Sequence, residues 1–304
     1  MRNNIPTGKI SPPFGYFGSK NRLAATIVRL LPPHNAWVEA FCGSAALTLM
    51  KEKAPIEVIN DVDGRIVNLF RQLRDHGNQL CRLVALTPYS SQELHNARAL
   101  PPTKNSLEDA RRFLVEAMMA VNGTFGKDRG GFSFTQAYSR GGKEARVSRW
   151  YNLPDRIEKV IERLRKVRIE KRDAREILDL FSKRPATLVY LDPPYLGSRT
   201  NGYTIDANSE SFHIDLLRKA TRARCMVMIS AYRNPLYMDI LTKRNGWRAR
   251  VIEATTRDSS GRDISREELV WMNNHSLDAL RRGRLPIHLS AREKRLGKVN
   301  PVRR

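Results

Sequence analysis

The sequence predicts an α/β protein: a mostly parallel sheet with helices on both faces, interrupted by an inserted lobe. Three observations carry this. Short apolar runs alternate with segments whose apolar residues recur at helical spacing, the pattern of βα units. The rhythm breaks between residues 76 and 165 and resumes after them. Two of the apolar runs end on acidic residues, and a third runs directly into Asp192-Pro193-Pro194-Tyr195.

Taken in order, residues 1–13 are polar and proline-bearing and read as an extended arm. Residues 20–31 have Leu23, Ile27, Leu30 and Leu31 at helical spacing and stop at Pro32-Pro33. Residues 36–41 read as a strand, after which Gly43-Ser44-Ala45-Ala46 opens a helix through Met50. Residues 56–59 form a second strand ending on Asn60-Asp61, and 63–74 a helix with Ile66, Val67, Leu69, Phe70 and Leu73 on its apolar face. Within 76–165 only 106–121 has helical character; 122–142 is rich in glycine, aromatics and charge without a helical period. A strand at 167–170 leads to Asp173 and a helix at 174–181. Residues 187–191 form a buried strand; then follow a polar loop, helices near 213–220 and 235–243, and strands at 226–230, 247–254 and 269–273. Two folding units result, residues 1–75 with 166–275 and the lobe 76–165, followed by a basic tail over 276–304.

Composition narrows the partner. The chain has 304 residues, 54 Lys and Arg against 31 Asp and Glu, and a net charge of +23. Such an excess favours a polyanion. No apolar stretch approaches the ~20 residues of a spanning helix, and no signal-peptide core follows Met1, which predicts a cytosolic protein. The three cysteines and six histidines are scattered, with no metal-ligand spacing. From Arg281 to Arg304 the tail carries nine Lys and Arg against one acid, Glu293, which suits a DNA-backbone arm.

The chemistry concentrates at strand ends. After the strand 187–191, two prolines end the ladder and stiffen the turn, placing a carboxylate, a rigid backbone and a ring together. Asp192 and a backbone carbonyl suit the two hydrogens of an exocyclic amine; Tyr195 suits the face of a base. Glu39, Phe41 and Gly43 bracket a small-residue turn at a helix start, where backbone N–H groups are free and a ligand can approach closely. Asp61 suits ribose hydroxyls and otherwise caps the next helix; Asp173 suits an adenine amine and otherwise caps its own helix.

The order of these pieces is specific. Phe14-Gly15-Tyr16-Phe17-Gly18-Ser19-Lys20, then VEAFCGSAAL at 38–47, NDVDGRIVNLFRQLRD at 60–75, Asp173, LDPPY at 191–195 and SREELVWMN at 265–273 resemble the Dam-type DNA N6-adenine methyltransferases over roughly residues 12–273. The resemblance implies a Rossmann-like methyltransferase sheet, S-adenosylmethionine as cofactor, double-stranded DNA as partner and 76–165 as the target-recognition lobe. It implies that Lys20, with Tyr16, meets the cofactor's methionine carboxylate, and that Glu39, Phe41 and Gly43 form the cofactor loop. Asp61 is then the ribose ligand and Asp173 the adenine ligand. Asp192, Pro193 and Tyr195 form the catalytic group, with Asp192 also bordering the cofactor. Lys127, Arg129, Arg140, Lys143, Arg146 and Arg149 are expected on DNA phosphates. Two positions depart from the family pattern: Gly43-Ser44-Ala45 replaces a run of glycines, and Ala174 stands where the family often has a hydrophobic ring. The same motif also serves amino methylation of cytosine N4 or of RNA, and an inactive DNA-binding relative is a further alternative; the leading Asp favours adenine.

Overall fold

Strand residues with alternating side chains, apolar on both sides, require a layer on each face of the sheet. The computed structural model describes residues 10–15, 18–121, 130–134, 142, 144–196, 209–257 and 263–286, with the backbone alone at 254–257 and 263–266. Its strands are β1 (Ala36–Glu39), β2 (Ile56–Asn60), β3 (Val167–Glu170), β4 (Thr187–Leu191), β5 (Met226–Ala231), β6 (Arg248–Arg257) and β7 (Asp263–Met272). They form one sheet in the order β3-β2-β1-β4-β5-β7-β6. β1 to β5 are parallel; β7 runs antiparallel between β5 and β6. The expectation of a mostly parallel sheet holds for five strands. The last two form a hairpin, which needs no crossover helix.

The alternation is visible residue by residue. Val38, Val189, Leu191, Val227 and Ile229 point to one face, where α9 (Ala174–Phe181), α10 (Glu210–Arg222) and α11 (Pro235–Ile240) cover them. Trp37, Leu188, Tyr190, Met226 and Met228 point to the other, under α1 (Ala24–Arg29), α2 (Ala46–Met50) and α12 (Asn274–Arg282). The 20–31 segment is thus divided: a 3-10 turn at Lys20–Arg22 precedes α1. Farther along this second face, α3 (Gly64–Asp75) packs Ile66, Phe70 and Leu73 beside Ile59 of β2.

Residues 76–165 are more helical than their sequence predicts. Besides α6 (Ser106–Met119) they contain α4 (Gly77–Leu86), α5 (Ser91–Ala99), α7 (Ala145–Tyr151) and α8 (Leu153–Leu164). Leu153, Ile157, Val160 and Leu164 of α8 are fully buried at helical spacing. Pro154 at its start, tolerated in a first helical turn, hides that period from a reading that treats proline as a break. These helices share one core with α3 and β3, and Phe14 of the arm inserts between Phe70 and Phe113. Arg163 of α8, itself buried, reaches Glu57 of β2 at 2.5 Å and the carbonyl of Thr48 at 2.6 Å. Residues 276–282 of the stretch assigned to the tail belong to α12: Asn273 caps it, Ser276 and Ala279 are buried, and Gly283 ends the helix at φ +61°.

Candidate active site

Strand order reverses between β1 and β4, because the chain runs outward through β2 and β3 and then returns to add β4 and β5. The loops leaving β1 and β4 therefore face one crevice, where open α/β sheets bind ligands. The two motifs read from the sequence, 38–47 and 191–195, are these two loops.

After β1 the chain turns sharply. Gly43 sits at φ +47°, and Ala45 has φ 55° and ψ 37°, left-handed for a residue with a Cβ, which costs ~1–2 kcal/mol. The departure from a glycine run therefore leaves the turn's conformation intact and makes it strained. Ala45 has no side-chain oxygen to cap α2; Glu39 does so instead. Its Oε2 accepts from the Thr48 backbone N–H at 3.0 Å and from the Thr48 hydroxyl, which in turn accepts from Trp37 Nε1 at 2.7 Å. Glu39 is 3 % exposed, and burial lifts its carboxyl to about 7 against the opposing Thr48 hydrogen bonds. Glu39 thus holds the loop from beneath.

Asp61 follows β2. Its Oδ2 accepts from the Gly43 N–H at 2.8 Å and its Oδ1 from the Asp63 N–H at 3.0 Å. The capping of α3 falls to Asp63, which accepts from Arg65 N–H at 2.9 Å. Asp61 is free of that duty and ties the β1 turn to the next strand end. Burial lifts its carboxyl to about 6, although both backbone bonds oppose the rise. Asn60, singled out only as part of the motif, joins three strand ends: its Nδ2 donates to the carbonyls of Ala40 (2.9 Å) and Arg172 (3.0 Å), and its Oδ1 accepts from Arg172 N–H (2.9 Å).

Asp173 caps α9 through the Arg175 N–H at 2.8 Å and pairs with the Arg175 guanidinium at 2.7 Å, which holds its carboxyl below the usual range. Arg175 also lies 4.7 Å over the ring of Phe212, and Phe212 meets Phe41 edge-on at 6.4 Å. Rings from the turn after β1 and from α10 thus stand near Asp173, where the side chain of Ala174 offers none.

At the other loop, Asp192 is surrounded by donors. Lys20 Nζ lies 2.7 Å away, the Ser230 hydroxyl of β5 donates at 2.9 Å and the Tyr195 oxygen stands at 3.3 Å. Lys20 is 8 % exposed and stands 4.9 Å from the centre of the Tyr195 ring. Burial works to lower its pKa, but Asp192 and Glu268 outweigh that and hold it above the ordinary lysine value. Glu268 of β7 lies in the quoted 265–273 motif without a role read from it. It accepts from Tyr195 at 2.7 Å and approaches Lys20 at 3.4 Å. Beneath the loop, the buried His213 ring meets the Tyr237 hydroxyl at 2.8 Å; burial lowers its pKa to about 4, keeping it neutral.

The structure therefore gathers Lys20, Asp192, Tyr195 and Glu268 at one end of the crevice and Gly43, Asp61, Phe41 and Asp173 along the strand ends beside it. Tyr16 lies outside the described residues, as do Lys127, Arg129, Arg140 and Lys143. Arg146 and Arg149 lie on α7. Arg156 of α8, absent from the sequence reading, donates to the Arg149 carbonyl at 3.2 Å; partial burial and the Arg149 charge lower its pKa.

The donor set fits S-adenosylmethionine. A buried ammonium, a carboxylate at a strand end and a pair of rings have the chemistry to hold its carboxylate, ribose and adenine. A family model described as D12 class N6 adenine-specific DNA methyltransferase matches residues 16–239. No curated protein matches the sequence. Among solved structures, a Pyrococcus horikoshii protein provisionally described as an RNA methyltransferase is 10% identical, with 83% of this chain and 81% of that one covered and a TM-score of 0.37. The rRNA methyltransferase aviRa from Streptomyces viridochromogenes is 13% identical, with 88% and 90% covered and a TM-score of 0.34. Neither likeness is close enough to carry an argument. The family match spans most of the chain and every motif up to α11: the protein belongs to the D12 class of N6 adenine-specific DNA methyltransferases, enzymes that take their methyl group from S-adenosylmethionine.

Proposed function

We propose that the protein methylates the N6 amino group of an adenine flipped out of duplex DNA at a specific site. The observation that carries this reading is the placement of Asp192 and Tyr195 at the switch point, beside the cofactor turn. An aromatic amine is a poor nucleophile because its lone pair is shared with the ring. Asp192 and the Pro193 carbonyl accept its two hydrogens, drawing nitrogen toward tetrahedral geometry and localising the lone pair. A carboxylate has about four acceptor positions; Lys20 and Ser230 occupy two, while the single Tyr195 hydrogen lies nearer Glu268. Burial, with Asp192 and Glu268, keeps the Tyr195 phenol protonated at neutral pH, so it donates while its ring face offers a stacking surface. Bound S-adenosylmethionine supplies an electrophilic methyl group on a sulfonium.

A base inside a duplex cannot enter such a crevice. Extruding it costs a few kcal/mol, and stacking on Tyr195 returns roughly 1–3 kcal/mol. In this reading residues 76–165 form the recognition lobe. Arg146, Arg149 and Arg156, whose charges crowd one another, meet phosphates together with Lys127, Arg129, Arg140, Lys143 and the basic tail.

The test is incubation with methyl-labelled S-adenosylmethionine and mixed-sequence duplex DNA beside an Asp192→Ala control, followed by nucleoside analysis. Label in N6-methyladenine, absent from the control, is expected. Label in N4-methylcytosine, or on RNA alone, replaces the substrate named here.

A further inference from the structure

Lys20 is one cation between two carboxylates. Asp192 lies at 2.7 Å and suffices as its partner; Glu268 lies at 3.4 Å and is 5 % exposed. A second buried carboxylate is costly, and nothing about pairing Lys20 requires it. Burial raises the pKa of Glu268, with Asp192 adding to the rise and Lys20 opposing it. Something else must offset the cost, and the geometry shows what it is. Glu268 holds the hydroxyl of Tyr195 at 2.7 Å, shorter than the 3.3 Å from that hydroxyl to Asp192. The ring so anchored faces Lys20 Nζ. Glu268 stands on β7, paired with Ile252 of β6 and next to Leu269, where the ladder to β5 begins, so its backbone is held by the sheet.

Resting on the methyl-transfer reading above, we propose that Glu268 is a positioning residue: it locks Tyr195 and Lys20 into their present arrangement, and its charge biases the pocket toward the cationic cofactor. Asp192 and Glu268 set two carboxylates against the single ammonium of Lys20 at this end of the crevice. S-adenosylmethionine carries a sulfonium; the product S-adenosylhomocysteine carries a neutral thioether. The extra negative charge thus favours cofactor over product, and removing it narrows that preference.

Two variants of the full chain separate the roles. Glu268→Gln keeps an oxygen for the Tyr195 hydroxyl and removes the charge; Glu268→Ala removes both. By calorimetry without DNA, Glu268→Gln is expected to lower the affinity for S-adenosylmethionine relative to S-adenosylhomocysteine by threefold or more. In methylation assays Glu268→Ala is expected to lower kcat at least tenfold with less change in the cofactor KM, and Glu268→Gln to recover part of it. Adding Tyr195→Phe to Glu268→Ala should cost less than the two losses combined, since both remove one hydrogen bond. An unchanged affinity ratio in Glu268→Gln overturns the charge role. Wild-type kcat in Glu268→Ala, even with a lower Tm, overturns the positioning role. A wild-type protein that binds cofactor and methylates nothing overturns the methyl-transfer reading, and the affinity ratio still decides the charge role.

Discussion

Lys20 and Asp192 stand 172 residues apart in the chain and meet at 2.7 Å. The resemblance assigns the lysine to the cofactor's carboxylate and the aspartate to the target amine. The fold makes them partners, so cofactor binding and the acceptor group share one ammonium. Asp192→Ala therefore leaves Lys20 with Glu268 alone as well as removing the acceptor. Methyl transfer is expected to fall by 10² or more, while cofactor affinity by calorimetry stays within a few-fold or rises. Turnover near the wild-type rate would remove Asp192 from the chemistry.

Lys20→Ala should act in the opposite sense on binding. It leaves two buried carboxylates without their cation, a change that costs about 3–5 kcal/mol for a buried pair. Cofactor affinity is expected to drop at least tenfold and the thermal midpoint to fall. Affinity unchanged by calorimetry would take the lysine out of the cofactor site.

The pH dependence of cofactor binding should report Asp61. Ribose hydroxyls need the ionised carboxylate, and this one ionises at about 6 instead of 3.8. Affinity is therefore expected to rise with pH up to about 6 and then level off. Stability moves the other way: folding favours the protonated form, so Asp61's contribution declines as pH rises from 3.8 to about 6. In Asp61→Asn both dependences should flatten, and a titration series that keeps the wild-type slope would assign it to another group.

Glu39 offers a stability test. Its carboxyl ionises at about 7 in the fold and 4.5 in an open chain, so ionisation destabilises the native state as pH rises between those values. Glu39→Gln, neutral and still able to accept from Thr48 N–H, should be more stable than the wild type at pH 8, by up to roughly 3 kcal/mol, and equal to it near pH 4. Denaturant melts at both pH values check this; a variant less stable at pH 8 would contradict the account.

Arg163→Ala should loosen the joint between α8 and the sheet. It leaves Glu57 with Lys51 as its one remaining cation and takes the guanidinium from the Thr48 carbonyl in a buried place, for a loss of about 1–3 kcal/mol in denaturant unfolding. A loss below 1 kcal/mol would mean that α8 is held by its apolar face alone.

The local features of this protein were decided by its sequence. Period-two and period-3.6 apolar patterns placed the strands β1 to β5 and helices α3, α6 and α9, because burial on two faces dictates them. The turn at Gly43, the acidic strand ends and Asp192-Pro193-Pro194-Tyr195 were legible because glycine, proline and aspartate act on the backbone next to them. Long-range partnership was decided by the tertiary structure alone. Sequence showed no reason for Glu39 to cap a helix that Ala45 cannot, for Asn60 to join three strand ends, or for Arg163 of α8 to find Glu57. Nor did it mark Glu268, whose neighbours Lys20 and Tyr195 come from segments 248 and 73 residues earlier in the numbering. Hydrogen bonds and charge pairs carry no period along a chain. They exist only once sheet order has brought distant strand ends to one crevice.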